Sequence, residues 1–110
     1  MILSTDIWVS ALIRRAETAG AFATVVRKGD PRAGAVLVKV LDRREGRVRL
    51  YAEATRVDGD RVWMRPARAE AEKELDAYIE RAARIDPDLW VVEVEDTHGR
   101  HFLTEPVDES

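Results

Sequence analysis

Between residues 47 and 65 the chain alternates apolar and polar side chains, and this pattern restricts the fold more than any other feature. Every second side chain is apolar in residues 47–54, and the alternation resumes in residues 61–65. The Asp58-Gly59 pair between them is typical of a tight turn. Because such a short connection joins only antiparallel neighbours, the segment predicts a β-hairpin with one apolar face.

The rest of the chain predicts two helices and further strands around this hairpin. Apolar residues recur at helical spacing in residues 6–19 and 67–85. Extended segments are predicted at residues 22–28, 35–41 and 89–95, with a short edge strand at 100–103. The nearly continuous apolar run at 35–41 predicts a central strand buried on both faces. The element order predicts a two-layer α+β domain, in which both helices cover one face of a mostly antiparallel sheet.

The size and composition of the chain exclude several classes of protein. Its 110 residues fit one domain spanning residues 1–110, with an acidic tail from about residue 104 that we expect to be frayed. It contains no cysteine, which excludes disulfides, thiolate metal sites and cysteine nucleophiles. A net charge of −3 provides no strong field toward nucleic acid or an anionic membrane. Without a membrane span or a basic signal-peptide start, we expect a cytoplasmic protein.

Two short strings resemble a known family. They are Gly29-Asp30-Pro31 and Asp86-Pro87-Asp88-Leu89-Trp90, and residues 8–15 and 20–23 support them. With these segments the chain resembles a family of small bacterial proteins, domain of unknown function 1491 (DUF1491). The resemblance spans nearly the whole chain and implies a single-domain bacterial protein. It implies no activity, ligand or catalytic residue.

The polar side of the predicted hairpin combines arginines with aromatic rings. We call it the basic-aromatic face, and it comprises Arg47, Arg49, Tyr51, Arg61, Trp63 and Arg65. Protein interfaces are enriched in these residue types, and single-stranded nucleic acid is bound by the same combination. Alternatively, Trp63 packs beneath a helix and the arginines pair with carboxylates. Since the chain is nearly neutral, a protein partner or self-association is favoured over nucleic acid.

The connection between the first two strands is a candidate anion-binding loop. Its residues are Gly29, Asp30, Arg32, Ala33 and Gly34. Glycine at both ends allows successive backbone N–H groups to converge on an anion, and Arg32 adds positive charge. The same residues also fit a plain turn, in which Pro31 fixes φ and Asp30 caps the turn. The loop supports an alternative function as a small-ligand-binding protein or an enzyme.

Two histidines provide a weaker candidate for a metal site. His98 and His101 lie near Glu95 and Asp96, and two imidazoles with a carboxylate are able to hold zinc. Positions three apart do not converge across a hairpin turn as they do on a helix, so we expect neither a metal nor a cofactor. No serine lies where it would pair persuasively with a histidine. The sequence therefore favours a non-enzymatic interaction or regulatory module, either with a protein partner or as a homodimer.

Overall fold

A computed structural model describes residues 3–109, which form two helices and a six-stranded sheet. In chain order the elements are α1 (Thr5–Thr18), β1 (Phe22–Arg27), β2 (Val36–Asp42), β3 (Arg47–Thr55), β4 (Arg61–Met64), α2 (Glu72–Ile85), β5 (Trp90–Asp96) and β6 (Val107–Asp108). The α+β class and the predicted element order are confirmed. In residues 3–109, neither helix is long and apolar enough to cross a bilayer.

The strands follow the order β1-β5-β2-β3-β4-β6 across the sheet. Strand β5 is inserted between β1 and β2, antiparallel to the former and parallel to the latter. The β2–β3 and β3–β4 pairs are antiparallel, as the alternating hairpin pattern predicts. Only β4 and β6 form a second parallel pair. The sheet is therefore mostly antiparallel, with β1 and β6 at its two edges.

The helices lie on opposite faces of the sheet, so the expectation of two layers with both helices on one face is wrong. On one face, Trp8 of α1 packs in a cluster with Val38 and Val92. On the other, Leu75 of α2 packs in a separate cluster with Leu37. Because the central strand β2 presents apolar side chains to both faces, each face needs a cover. One helix on each side provides it.

A buried lysine ties α2 to its face of the sheet. Lys39 Nζ lies 2.6 Å from Glu72, 2.8 Å from Asp76 and 3.6 Å from Glu93. Burial alone would lower the pKa of this ammonium group, but the hydrogen bonds it donates to Asp76 and Glu72 outweigh burial and raise the pKa. The charged lysine therefore links β2 and β5 to the first turns of α2.

Two predicted elements differ from the structure by more than one residue, and β6 lies where no strand was predicted. Helix α2 begins at Glu72 rather than at residue 67, because the preceding segment runs beside β3, where the Val48 N–H donates to the Glu70 carbonyl. Residues 100–103 form no edge strand, since Phe102 has φ +61°, outside the extended region. The acidic tail contains β6, which pairs with β4, and fraying of the tail stays a prediction.

Candidate functional site

The two rings of the basic-aromatic face are buried inside the protein. Trp63 is 1% exposed and Tyr51 is 2% exposed. The Trp63 ring stacks on Trp8 of α1, with centroids 5.2 Å apart and planes inclined by 23°. Alternation correctly places these residues on one face of the sheet, but α1 covers that face. An interface on this face would need exposed rings, whereas both rings are buried.

A glutamate from the C-terminal segment joins the two stacked tryptophans. Glu105 accepts the indole N–H of Trp63 at 3.0 Å and that of Trp8 at 3.3 Å. Partial burial alone would raise the pKa of this carboxyl group, but the indole hydrogen bonds lower it below its ordinary value. Both buried indole N–H groups are thereby satisfied, and the segment before β6 is fixed against α1.

The arginines of the basic-aromatic face are paired with carboxylates. The pairs are Arg47–Glu45 at 3.0 Å, Arg49–Glu70 at 2.9 Å, Arg61–Glu53 at 2.7 Å and, more loosely, Arg65–Glu70 at 3.9 Å. Arg65 is nearly buried, and its Nε is a buried nitrogen with no hydrogen-bond partner within residues 3–109. With its rings covered and its cations paired, this face matches the alternative interpretation, in which the tryptophan packs beneath a helix.

The candidate anion-binding loop supplies its own anion. The Asp30 carboxylate accepts the N–H groups of Arg32 and Ala33 at 3.2 and 2.9 Å. The Gly34 N–H donates to the Asp30 carbonyl at 3.2 Å. The amides on which an external anion would depend are therefore engaged within the loop. This geometry is that of a capped turn.

The two strings that carry the family resemblance meet in space at this loop. The Asp30 N–H donates to the Asp88 carbonyl at 3.0 Å, and the Trp90 indole donates to the Asp30 carbonyl at 2.7 Å. Gly29 and Gly34 both pack so closely on the Asp88 carbonyl that a Cβ at either position would overlap it. The contact sets the start of the parallel β2–β5 pair, in which Val36 lies opposite Trp90.

Both histidines lie at a cavity of about 510 Å³ together with part of the basic-aromatic face. We call it the His101 cavity, and it is lined by Arg49, Tyr51, His98, Gly99, Arg100, His101, Phe102, Val107 and Glu109. The His101 ring meets the Tyr51 ring edge-on, with centroids 5.2 Å apart. No group of three or more histidine, aspartate or glutamate side chains is arranged to hold a metal ion in residues 3–109. Sequence reasoning missed this grouping because its members are far apart along the chain.

A buried aspartate holds the loop that carries the histidines. Asp96 is 2% exposed and accepts the backbone N–H groups of His98 and Arg100 at 3.2 and 2.9 Å. The Arg100 guanidinium also donates to both carboxylate oxygens, at 3.0 and 2.9 Å. The loop is therefore anchored at the end of β5 by one side chain.

The β1 edge differs from the paired polar surface because it exposes apolar side chains. Phe22 is 63% exposed, Val26 is 58% exposed and Val25 is 36% exposed. The strand is hydrogen-bonded to β5 on one side and, among residues 3–109, has no neighbour in the sheet on the other. Sequence reasoning missed this surface, although the run of uncharged residues 22–26 was a usable signal.

Comparison with known proteins assigns the chain to a family. The model of a family described as protein of unknown function, DUF1491, matches residues 3–104. The chain belongs to the DUF1491 family. A crystal structure of a DUF1491 family protein from Caulobacter crescentus CB15 has 74% identity and a TM-score of 0.95, covering 97% of this chain and 100% of its own. An NMR structure of a DUF1491 family protein from the same organism has 74% identity and a TM-score of 0.92, covering 98% of each chain.

A third similar structure is that of protein Atu0922 from A. tumefaciens. Its solution structure is 35% identical to this chain, with a TM-score of 0.82, and the match covers 100% of both chains. No curated protein matches the chain. The match of the family model therefore confirms the family resemblance seen in the sequence.

Asp96 makes the stability of this DUF1491 protein sensitive to acid. The hydrogen bonds from Arg100, chiefly, lower its pKa from 3.8 to about 2. A carboxyl group with a lowered pKa in the folded state contributes stability above its unfolded pKa and loses it as the pH falls through its folded pKa. We expect this group to contribute about 2 kcal/mol near neutral pH, lost between about pH 4 and pH 2.

Urea denaturation at a series of pH values tests this expectation. Asp96→Asn should be less stable than the unmodified protein at neutral pH, and the difference should shrink as the pH falls to 2. A constant difference across the range would contradict the assigned role of Asp96.

Proposed function

We propose that this protein is a non-enzymatic interaction module that forms a homodimer by pairing β1 with β1 of a second copy. The observation that supports the proposal most strongly is the apolar, unpaired edge of β1. An edge strand presents a row of unpaired N–H and C=O groups that template the addition of another strand. We also propose a cytoplasmic location, which the absence of cysteine supports.

The two edges of the sheet differ in the protection they carry. The opposite edge is β6, which has only two residues and ends in Asp108. Short and charged edges resist pairing with another chain. Strand β1 has six residues, and residues 22–26 include neither a charge nor a proline. A bulge between Val25 and Arg27 limits regular pairing to the first part of the strand.

The charges at the ends of β1 favour a second copy as the partner. Lys28 follows the strand and is exposed, while Glu95 of the neighbouring β5 lies opposite Phe22 at the other end, partly exposed and 3.8 Å from Arg43. When two copies pair antiparallel about a two-fold axis, the basic end of each strand meets the acidic end of the other. The edge is therefore self-complementary in its apolar character, with a basic end on β1 and an acidic group on the neighbouring β5.

The alternative functions considered from the sequence have less support. Single-stranded nucleic-acid binding on the basic-aromatic face requires exposed rings for stacking, and Tyr51 and Trp63 are buried. Anion binding at residues 29–34 requires backbone N–H groups that are instead bonded to Asp30. Neither objection applies to pairing at the β1 edge.

Sedimentation velocity over a range of protein concentrations tests the proposal. We expect the unmodified protein to shift from monomer to dimer as concentration rises. Val26→Lys should keep it monomeric, because a lysine on an exposed edge strand opposes the addition of another strand.

Val57→Lys is the matched control, since it makes the same substitution at a fully exposed position in the β3–β4 turn. It should dimerise like the unmodified protein. A protein that stays monomeric at every concentration, or a Val26→Lys variant that dimerises normally, would refute the proposal.

A further inference from the structure

The His101 cavity lies apart from the β1 edge, on the side of the sheet where β3, β4 and β6 lie. Its walls come from β3, from the loop after β5 and from the C-terminal segment. Neither the fold nor the proposed dimer uses it. An open cavity lined by separate segments and by several polar side chains is a common form of small-ligand site.

His101 is set up as a hydrogen-bond donor in this cavity. Its Nδ1 accepts the Leu103 N–H at 2.9 Å, so the proton of the neutral imidazole resides on Nε2. Burial lowers the pKa of the ring, which keeps it neutral near pH 7. The Nε2–H makes no hydrogen bond to protein groups in the described part of the chain, which leaves it available to a ligand.

The other polar groups of the cavity are also mainly donors. Burial, above all, raises the pKa of Tyr51, so its hydroxyl group stays protonated. Arg49 donates from Nε to Glu70 and is also hydrogen-bonded to the Tyr51 hydroxyl group. Arg100 donates from Nε and Nη2 to Asp96 and from Nη2 to the Ala19 carbonyl, which leaves the N–H groups of its Nη1. Of the residues lining the cavity, Glu109 alone is acidic.

Two apolar side chains complete the cavity, and one of them has an uncommon backbone conformation. Phe102 and Val107 line the wall. Phe102 is the one non-glycine residue with positive φ within residues 3–109. Arg15 of α1 holds that conformation by donating from Nε and Nη2 to the Phe102 carbonyl, at 3.1 and 2.9 Å. Backbone strain of this kind is concentrated at ligand-binding sites in proteins.

We infer that the His101 cavity binds a small organic oxyanion, a carboxylate or phosphate group attached to an apolar body. The oxyanion accepts hydrogen bonds from Tyr51, His101 and the two arginines, since charge-assisted bonds of this type are the strong ones. The apolar body lies against Phe102 and Val107. This assignment does not depend on dimerisation.

Titrations followed by amide NMR test the inference with three probes: phenyl phosphate, benzoate and inorganic phosphate. We expect phenyl phosphate or benzoate to shift the amides of residues 98–102, and the one that binds identifies the oxyanion class. Inorganic phosphate should bind more weakly because it lacks the apolar body.

Binding should also raise the pKa of His101, read from its ring proton shift. The charged or titratable groups around the ring are Arg49, Tyr51, His98, Arg100 and Glu109, and a bound anion adds a negative charge to this set.

Two conservative variants locate the site. Tyr51→Phe keeps the ring and removes the hydroxyl group, and should weaken binding about tenfold, as loss of a hydrogen bond to a charged group predicts. Tyr78→Phe makes the same change on α2, outside the cavity, and should leave the affinity unchanged. No shift at residues 98–102 with any probe, or equal affinities for the two variants, would overturn the inference.

Discussion

Replacing Trp63 with alanine should lower the free energy of unfolding by about 3–5 kcal/mol, as for other buried aromatic side chains. The side chain is 1% exposed and stacks on Trp8, so its removal leaves a large cavity between α1 and the sheet. It also removes one of the two indole groups that hold Glu105. Since domains of this kind are stable by about 5–15 kcal/mol, the loss is a large fraction of the total.

Urea denaturation measures this loss, and the adjacent residue provides the control. Met64 is 41% exposed, so Met64→Ala should cost about 1 kcal/mol or less. Equal costs for Trp63→Ala and Met64→Ala would mean that the tryptophan is not covered by α1. The basic-aromatic face would then fit a partner-binding surface.

Replacing Gly29 with alanine should cost about 3 kcal/mol, at the upper end of the usual range for overpacking. The added Cβ would overlap the Asp88 carbonyl oxygen and come within 2.7 Å of the Leu89 carbonyl carbon. Both neighbours are backbone atoms, so no side-chain rotation relieves the contact. The substitution therefore separates the loop from the turn before β5 and weakens the β2–β5 pair.

Gly59→Ala is the control for the loss of a glycine as such. Gly59 has φ +90° and open space around it, so alanine there should cost only about 1–2 kcal/mol from the left-handed conformation. Urea denaturation of both variants separates steric overlap from conformation. If Gly29→Ala lowers the free energy of unfolding no more than Gly59→Ala does, then residues 29 and 88 do not pack closely.

The sequence predicts which side chains share a face much better than what covers that face. Alternation correctly groups Tyr51 with Trp63, because the side chains of a strand point alternately to opposite sides. It does not say which side receives α1. The apolar run in β2 does indicate how the faces are covered, since a strand buried on both faces implies a helix on each side.

Most of the remaining differences between the predicted and the observed structure come from contacts between segments that are far apart in the chain. The insertion of β5 between β1 and β2 depends on contacts between residues near 30 and near 88, and no local periodicity encodes such a contact. The His101 cavity likewise joins β3 to a loop about fifty residues later in the chain. Glu105 illustrates the same limit, because an acidic tail typical of fraying is fixed by two tryptophans.

Amide hydrogen exchange in β1, measured at low and high protein concentration, tests the proposed self-association most directly. Pairing of two edges protects the outward N–H groups of residues 22–25, so their exchange should slow as concentration rises. Exposed amides in the β3–β4 turn, remote from this edge, exchange by local opening and should keep the same rate throughout. Concentration-independent exchange in β1, or slowing confined to another surface, would contradict dimerisation through this edge.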